Sequence, residues 1–477
     1  MGNSWQRMLL FLCLLSGTDQ LSFVSARAEQ QRVDQAEHYA AQVAMAAQNL
    51  IKLTPADQLE QLQQPFSTSK RISGRDAAAT PSFCGVLAWC RPQGLRQGLM
   101  SREQLFGLNR LLRFALSSGG YQHVLGVMNR QRVIGEMENI SDDSGVRRAV
   151  QKYPNALSNS IADFSEFARP SLRDWYPSIG GTFAPPEERL DWSWKTPGLP
   201  IRRHQFNDYS LLITGDPGKG DYWGLRYEGH HLSINLTFMR DELGKLSVAG
   251  TPLFLGAFPM VVPQSPSTQN RLITHWEWTQ GQLMLFGAAH HLRQFWLSME
   301  DSLRGQGRIP VEKFEQVAPL LSDVPPPFLI SALNPAPHPQ TIEEYSAVLV
   351  DPRQLSGETI WHLRQGFEVY LSSLHDDVAS ELREKINSAL SGDEPFSLSW
   401  AGGDLKDMNS HHYSYLQVGD LLLELLQSNE FSTQHVSAPS GNHIHGMLRD
   451  LSFDWVHPNP AEGHLIEHHH NNMNHHP

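Results

Sequence analysis

Two histidine-bearing stretches hold the residues most suited to chemistry. Near the C-terminus, Asn442-His443-Ile444-His445 sets two imidazoles at i and i+2. On a strand such residues point to one face a few ångströms apart, a spacing that suits two ligands on one metal. Far upstream, Gly229-His230-His231 offers two more imidazoles. If the upstream stretch pairs with the terminal strand, His231 supplies a third ligand, with His230 or Glu424 as a fourth. Three protein ligands with an open position is the arrangement of a catalytic Zn, Fe or Cu site. Asn442, Arg449 and Asp450 are the candidate partners that fix the ring tautomers. A metal-free alternative uses His231 as base, Glu228 as its orienting carboxylate and Arg226 as an anion contact. Set against both is the plainer role of histidines as hydrogen-bonded structural groups.

The upstream motif sits in Asp221–Pro259, which reads as a β-hairpin. Apolar alternation runs through Trp223, Leu225 and Tyr227, then resumes through Leu232, Ile234, Leu236 and Phe238. Odd positions give way to even ones, and a strand has a side-chain period of two. One extra residue near Gly229–His231 accounts for the switch, so the pattern predicts a β-bulge inside the first strand. Arg226, Glu228, His231, Ser233 and Asn235 then share the non-core face, with His230 at the bulge.

Composition narrows the class. The chain has 477 residues, with 38 Lys and Arg against 50 Asp and Glu and a formal net charge of −12. That acidic balance argues against a nucleic-acid partner, which calls for a basic face. Residues 1–28 read as an export signal, with Arg7, an apolar Met8–Leu15 and a cleavage pattern at Ala26-Arg27-Ala28. The apolar run is too short for a membrane span, and no later segment approaches the roughly 18 apolar residues one requires. The expectation is an exported protein, periplasmic or extracellular, with no integral membrane segment. Composition does not fix its oligomeric state. Cys84 and Cys90 can close a small loop in an oxidising compartment, but their spacing is not that of a redox dithiol.

Helical periodicity covers Glu29–Leu53, Met100–Leu116, Tyr121–Arg132, Gly287–Arg304, Pro310–Leu321, Gly357–Leu374 and Asp376–Ser391. Ser101 is the expected N-cap of the second, and Gly119-Gly120 the expected break before the third. Strands are expected at Tyr209–Thr214, in the hairpin, and at Pro395–Trp400, Tyr413–Glu424 and Gly441–Arg449. Arg271–Phe286 has a mixed strand-like pattern, and Val324–Pro339 reads as a proline-rich connector. Residues 141–200 read as an insertion or long loops, and 458–477 as a disordered His-rich tail. The class is α+β: one mixed or mainly antiparallel sheet of central and C-terminal strands, packed with N-terminal and intervening helices. Residues 29–457 are expected to form a single domain.

Three blocks carry a family likeness: Arg96–Met100 with Leu116–Tyr121; Ile213–Pro217 with Trp223–Leu232 and Thr251–Ala257; and Phe396–Gly402 with Tyr413–Glu424 and Asn442–Asp450. In these the chain resembles the DUF3500 family, a set of largely exported proteins of unassigned function. The resemblance implies a shared fold and a polar site that joins the two histidine motifs. It brings no established reaction with it. Glu424 lies within Leu-Leu-Leu-Glu-Leu-Leu, a more apolar setting than the resemblance would imply. A cupin-like reading of His443-x-His445 lacks the glutamate that should follow; the run is Gly446-Met-Leu-Arg-Asp450. No Gly-x-Ser-x-Gly elbow occurs, and Gly215–Gly220 lacks the Lys-Ser/Thr ending of a phosphate loop. Adjacent His290 and His291 diverge by about 100° on a helix, which disfavours a shared metal. His411-His412 remains an outside candidate. The expected function is metal-dependent hydrolysis or oxidation of a small polar molecule, with non-catalytic ligand or metal binding as the alternative.

Overall fold

A computed structural model describes residues 30–66, 94–141, 209–229, 231–262, 279, 281–309, 348–408, 410, 412–428 and 443–454. Residues 1–28, where an export signal is expected, Cys84, Cys90, the 142–208 stretch, Pro310–Leu321, Val324–Pro339, His411, Asn442 and the histidine tail lie outside the described residues.

Helix α1 spans 30–53 and buries Tyr39, Val43, Ala47 and Leu50. Helix α2 (Ala56–Leu62) follows. Helix α3 (Arg102–Ala115) begins at Ser101 in a capping box, the Ser101 hydroxyl accepting from the Gln104 amide while Gln104 returns to the Ser101 amide. Helix α4 (Ser118–Ser141) includes Gly119 and Gly120 in its first turn, where a break was expected. A Cβ at Gly120 would run into the Ser373 carbonyl, so the glycine serves close packing. Helices α5 (Phe286–Ser298), α6 (Asp301–Gln306), α7 (Gly357–Leu371) and α8 (Asp376–Ser391) complete the helical set among the described residues.

Among the described residues, twelve strands lie in one sheet. They are β1 (Gln63–Gln64), β2 (Leu95–Arg96), β3 (Ser210–Gly215), β4 (Tyr222–Gly229), β5 (Leu232–Arg240), β6 (Leu246–Ala249), β7 (Leu253–Ala257), β8 (Val348–Val350), β9 (Phe396–Gly402), β10 (His412–Val418), β11 (Leu421–Ser428) and β12 (His443–Asp450). The order is β1-β3-β4-β5-β7-β12-β11-β10-β9-β8, with β2 on β3 and β6 on β5. All pairs are antiparallel except β1 with β3. The α+β class, with central and C-terminal strands in one sheet, is as the sequence pattern predicts.

The bulge is not there. Gly229 pairs with Leu232, so β4 and β5 form a hairpin with His231 in its tight turn. Across such a turn residue i pairs with i+3, so the buried face passes from odd to even numbers without an inserted residue. Tyr413–Glu424 repeats the pattern. Val418 pairs with Leu421 around Gly419-Asp420, and Gly419 takes a φ of +58°, which makes two strands of the expected one.

Register then divides the sheet into two faces. One carries Leu211, Leu225, Tyr227, Ile234, Leu255, Ile444, Leu448 and Leu423, all in the core shared with the helices. The other carries Ser210, Arg226, Glu228, Ser233, Asn235, His443, His445, Arg449, Glu424 and Tyr413. All of these are buried too. Buried polar groups persist only when paired with one another or with a ligand, so this second face is where chemistry is to be sought.

Candidate metal centre

The tight turn after β4 sets the first ligand. His231 has a φ of +64°, the left-handed conformation that hairpin turns need and that histidine tolerates better than most residues. This directs its ring across β7 towards β12. His443 and His445 stand on one face of β12 through strand alternation. Between them and the turn, β7 offers no side chain at the critical place. Gly256 pairs with His445, and its amide donates to the His231 carbonyl at 2.8 Å.

The three rings converge. His231 Nε2 lies 2.7 Å from His443 Nε2, and His443 Nε2 lies 3.0 Å from His445 Nε2. All three are buried, and one ligand atom from each falls within 4.8 Å of the others. The His231 and His443 planes meet at 77°, those of His443 and His445 at 81°. Phe258 packs 5.0 Å from the His443 ring and Phe254 5.4 Å from the His445 ring, centroid to centroid, as apolar walls.

An imidazole-to-imidazole contact needs one proton in it, and each Nε2 has a single site. His443 Nε2 meets two neighbours, so hydrogen bonding serves only one contact fully. A cation serves all three nitrogens. Two bonds of about 2.0–2.1 Å at angles of roughly 90–109° put their nitrogens about 2.9–3.4 Å apart. The observed separations of 2.7 and 3.0 Å reach that range within about 0.2 Å. The buried triad can hold a metal ion.

The other expected residues divide by position. His230 lies outside the described residues. Glu424 shares the polar face one strand beyond His445 but falls outside the three-ligand group; Tyr413 donates to it at 2.6 Å. Burial, then the charge of Glu424, pushes the nearby Tyr415 phenol above its usual range. Arg226 and Glu228 form a buried ion pair at 3.1 Å. Arg449 is on the histidine face, four residues beyond His445 or roughly 13 Å along the strand. It pairs with Asp454 at 2.6 Å, and burial raises the Asp454 carboxyl pKa. Asp450 corrects the expectation. It alternates to the helix-facing side of β12, where it meets Lys385 of α8 at 2.5 Å, so it is not a partner of the histidine rings.

His412 also faces the helices, sharing a 2.7 Å hydrogen bond with Ser414. The pattern reading did not find Gly256, Phe254, Phe258 or Tyr413. Gly256 had a legible signal, since a glycine inside a strand marks close approach of another group.

The profile of a family described as "Protein of unknown function (DUF3500)" matches residues 36–457. No curated protein and no solved structure matches the chain.

Proposed function

From the premise that the chain belongs to the DUF3500 family, we propose that it is an exported metalloprotein whose His231, His443 and His445 hold a divalent Zn, Fe or Cu ion. The observation that carries this is the convergence of three buried Nε2 atoms on a sheet face that also buries Arg226, Glu228, Glu424 and Arg449. Neutral imidazoles suit these ions and not Mg or Ca, which take oxygen ligands. With three protein ligands a coordination position stays open, which supports a metal-dependent enzyme acting on a small polar substrate. A bound ion would supply Lewis-acid or redox chemistry; the chain would supply orientation and a partly apolar wall from Phe254 and Phe258. The reaction class, hydrolytic or oxidative, follows from which ion is bound.

One observation favours a second reading, metal or ligand binding without turnover. Arg226 is tied to Glu228 and Arg449 to Asp454 in buried pairs, and Asp450 faces away. Metal analysis of the full chain beside a His443→Ala/His445→Ala variant tests the common premise. The expected result is loss of one tightly held equivalent in a folded variant. Equal metal content in the two proteins after dialysis against a weak chelator would end the metal site on which the first reading and the metal-binding form of the second both rest.

A further inference from the structure

A second histidine pair stands on the opposite side of the sheet. His291 of α5 and His362 of α7 approach at 3.1 Å between their Nδ1 atoms. His362 is buried, and His291 is half-buried beside the exposed Trp361. The Trp361 ring packs edge-on against both imidazoles, with centroids 5.2 Å from His291 and 4.7 Å from His362, and so restricts their rotation. Among the described residues His290 is not hydrogen-bonded into the pair; its ring stacks on Phe286 at 6.4 Å and lies edge-on to His291, centroids 5.2 Å apart.

A single proton between the two Nδ1 atoms satisfies this pair, and a cation replaces that proton at the cost of one hydrogen bond. No third His, Cys, Asp or Glu completes this pair within ligand reach in the structure, since among the described residues such a group forms at His231, His443 and His445; a third donor has to swing in from one turn away. Glu358 precedes His362 by four residues on α7, so the two share a helix face. Its side chain is exposed and can change rotamer without disturbing packing. Two imidazoles and a carboxylate, with water completing the shell, form a recurrent transition-metal donor set.

We propose that His291, His362 and Glu358 form a second transition-metal site that clamps α5 to α7. The clamp has reach. Helix α5 sends Arg293 to the Gln427 side chain of β11 at 3.0 Å, and α7 sets the Tyr370 hydroxyl against Gly446, between His445 and Met447.

The test uses the full chain carrying His443→Ala/His445→Ala, so that the triad contributes nothing and the tail histidines contribute equally throughout. Zn²⁺ is titrated against a competing chelator, and Tm is followed with and without Zn²⁺. The expected result is one saturable equivalent with a rise in Tm, both lost on adding His291→Ala/His362→Ala. Glu358→Gln should weaken the equivalent about tenfold. Should the quadruple variant fail to fold in chelator, His291→Ala alone decides, because that residue is only half-buried. Unchanged stoichiometry and Tm response in the histidine variants would overturn the site. This outcome is independent of the triad, whose own test compares the wild-type chain with the background variant.

Discussion

Replacing Gly256 with alanine puts the triad under a defined steric load. A Cβ at Gly256 falls 2.9 Å from His231 Cδ2, 2.9 Å from His445 Cδ2 and 2.9 Å from the Ile444 carbonyl oxygen. Carbon atoms sit comfortably at about 3.5–4.0 Å, so each ring must retreat by roughly 0.6 Å or more. Cδ2 is bonded to Nε2, so the ligand atoms move with it. Metal–ligand bonds tolerate about 0.2 Å. The shift is some three times that tolerance and acts on two of three ligands. The expected loss of metal affinity is about 10- to 100-fold, or roughly 1.4–2.8 kcal/mol. Overpacking costs the fold about 1–3 kcal/mol, which circular dichroism and Tm will register separately. The assay is competition for Zn²⁺ against a chromophoric chelator, in a background lacking His291 and His362. Gly287→Ala is the control, since its added methyl meets only Val369 at an ordinary 3.6 Å. Unaltered affinity in folded Gly256→Ala would refute the claim that these rings share an ion over this glycine.

Three further expectations follow from other contacts. His412 is buried and its pKa lies well below 6.5, chiefly through desolvation and then the charge of Arg293. The unfolded chain therefore takes up a proton before the folded one as pH falls. Stability should drop by about 1.4 kcal/mol per pH unit from this group below pH 6.5, until its folded-state pKa is reached. His412→Gln should flatten the pH dependence of urea unfolding between about pH 7 and 5 by one proton; an unchanged slope counts against it. Tyr413 and Glu424 should show a coupling of roughly 1.5–3 kcal/mol in a double-mutant cycle of Tyr413→Phe and Glu424→Gln, because their bond is charge-assisted and buried. Additive effects would mean that the contact is not energetically specific. Gly446→Ala drives a methyl into the Tyr370 hydroxyl and should cost roughly 3 kcal/mol, read as a lowered Tm, even though no metal ligand is touched.

The helices were legible because amphipathic spacing and caps are local. Ser101 announced α3, and the stripe of Leu108, Leu111 and Leu112 is buried as the 3.6-residue period requires. Hairpins were harder. A two-residue turn switches the buried parity just as a bulge does, so the alternation from Trp223 to Phe238 and the stretch Tyr413–Glu424 each read as one strand. Yet both routes put Arg226, Glu228, Ser233 and Asn235 on one face, because parity fixes faces whichever device changes it. The approach of His231 to His443 rests on strand order, with β7 inserted between β5 and β12, and order leaves no trace in periodicity. Asp450 was misplaced by proximity in the sequence: one step along a strand is a change of side.

The sheet has a narrow waist. Strand β5 pairs with β7 only through Leu232, Ser233 and Ile234, while β6 takes Thr237 to Arg240. Within the sheet, strands β1 to β6 meet strands β8 to β12 through this short ladder and β7. His231 stands at the end of the ladder on one side, and its partners 212 and 214 positions onward stand on the other. An ion held there would be a rivet across the waist, fastening two halves that few backbone bonds join. Occupancy would then be felt as mechanical continuity. Amides of residues 232–234 should exchange with solvent more slowly when the rivet is in place, and the apo sheet should part there first.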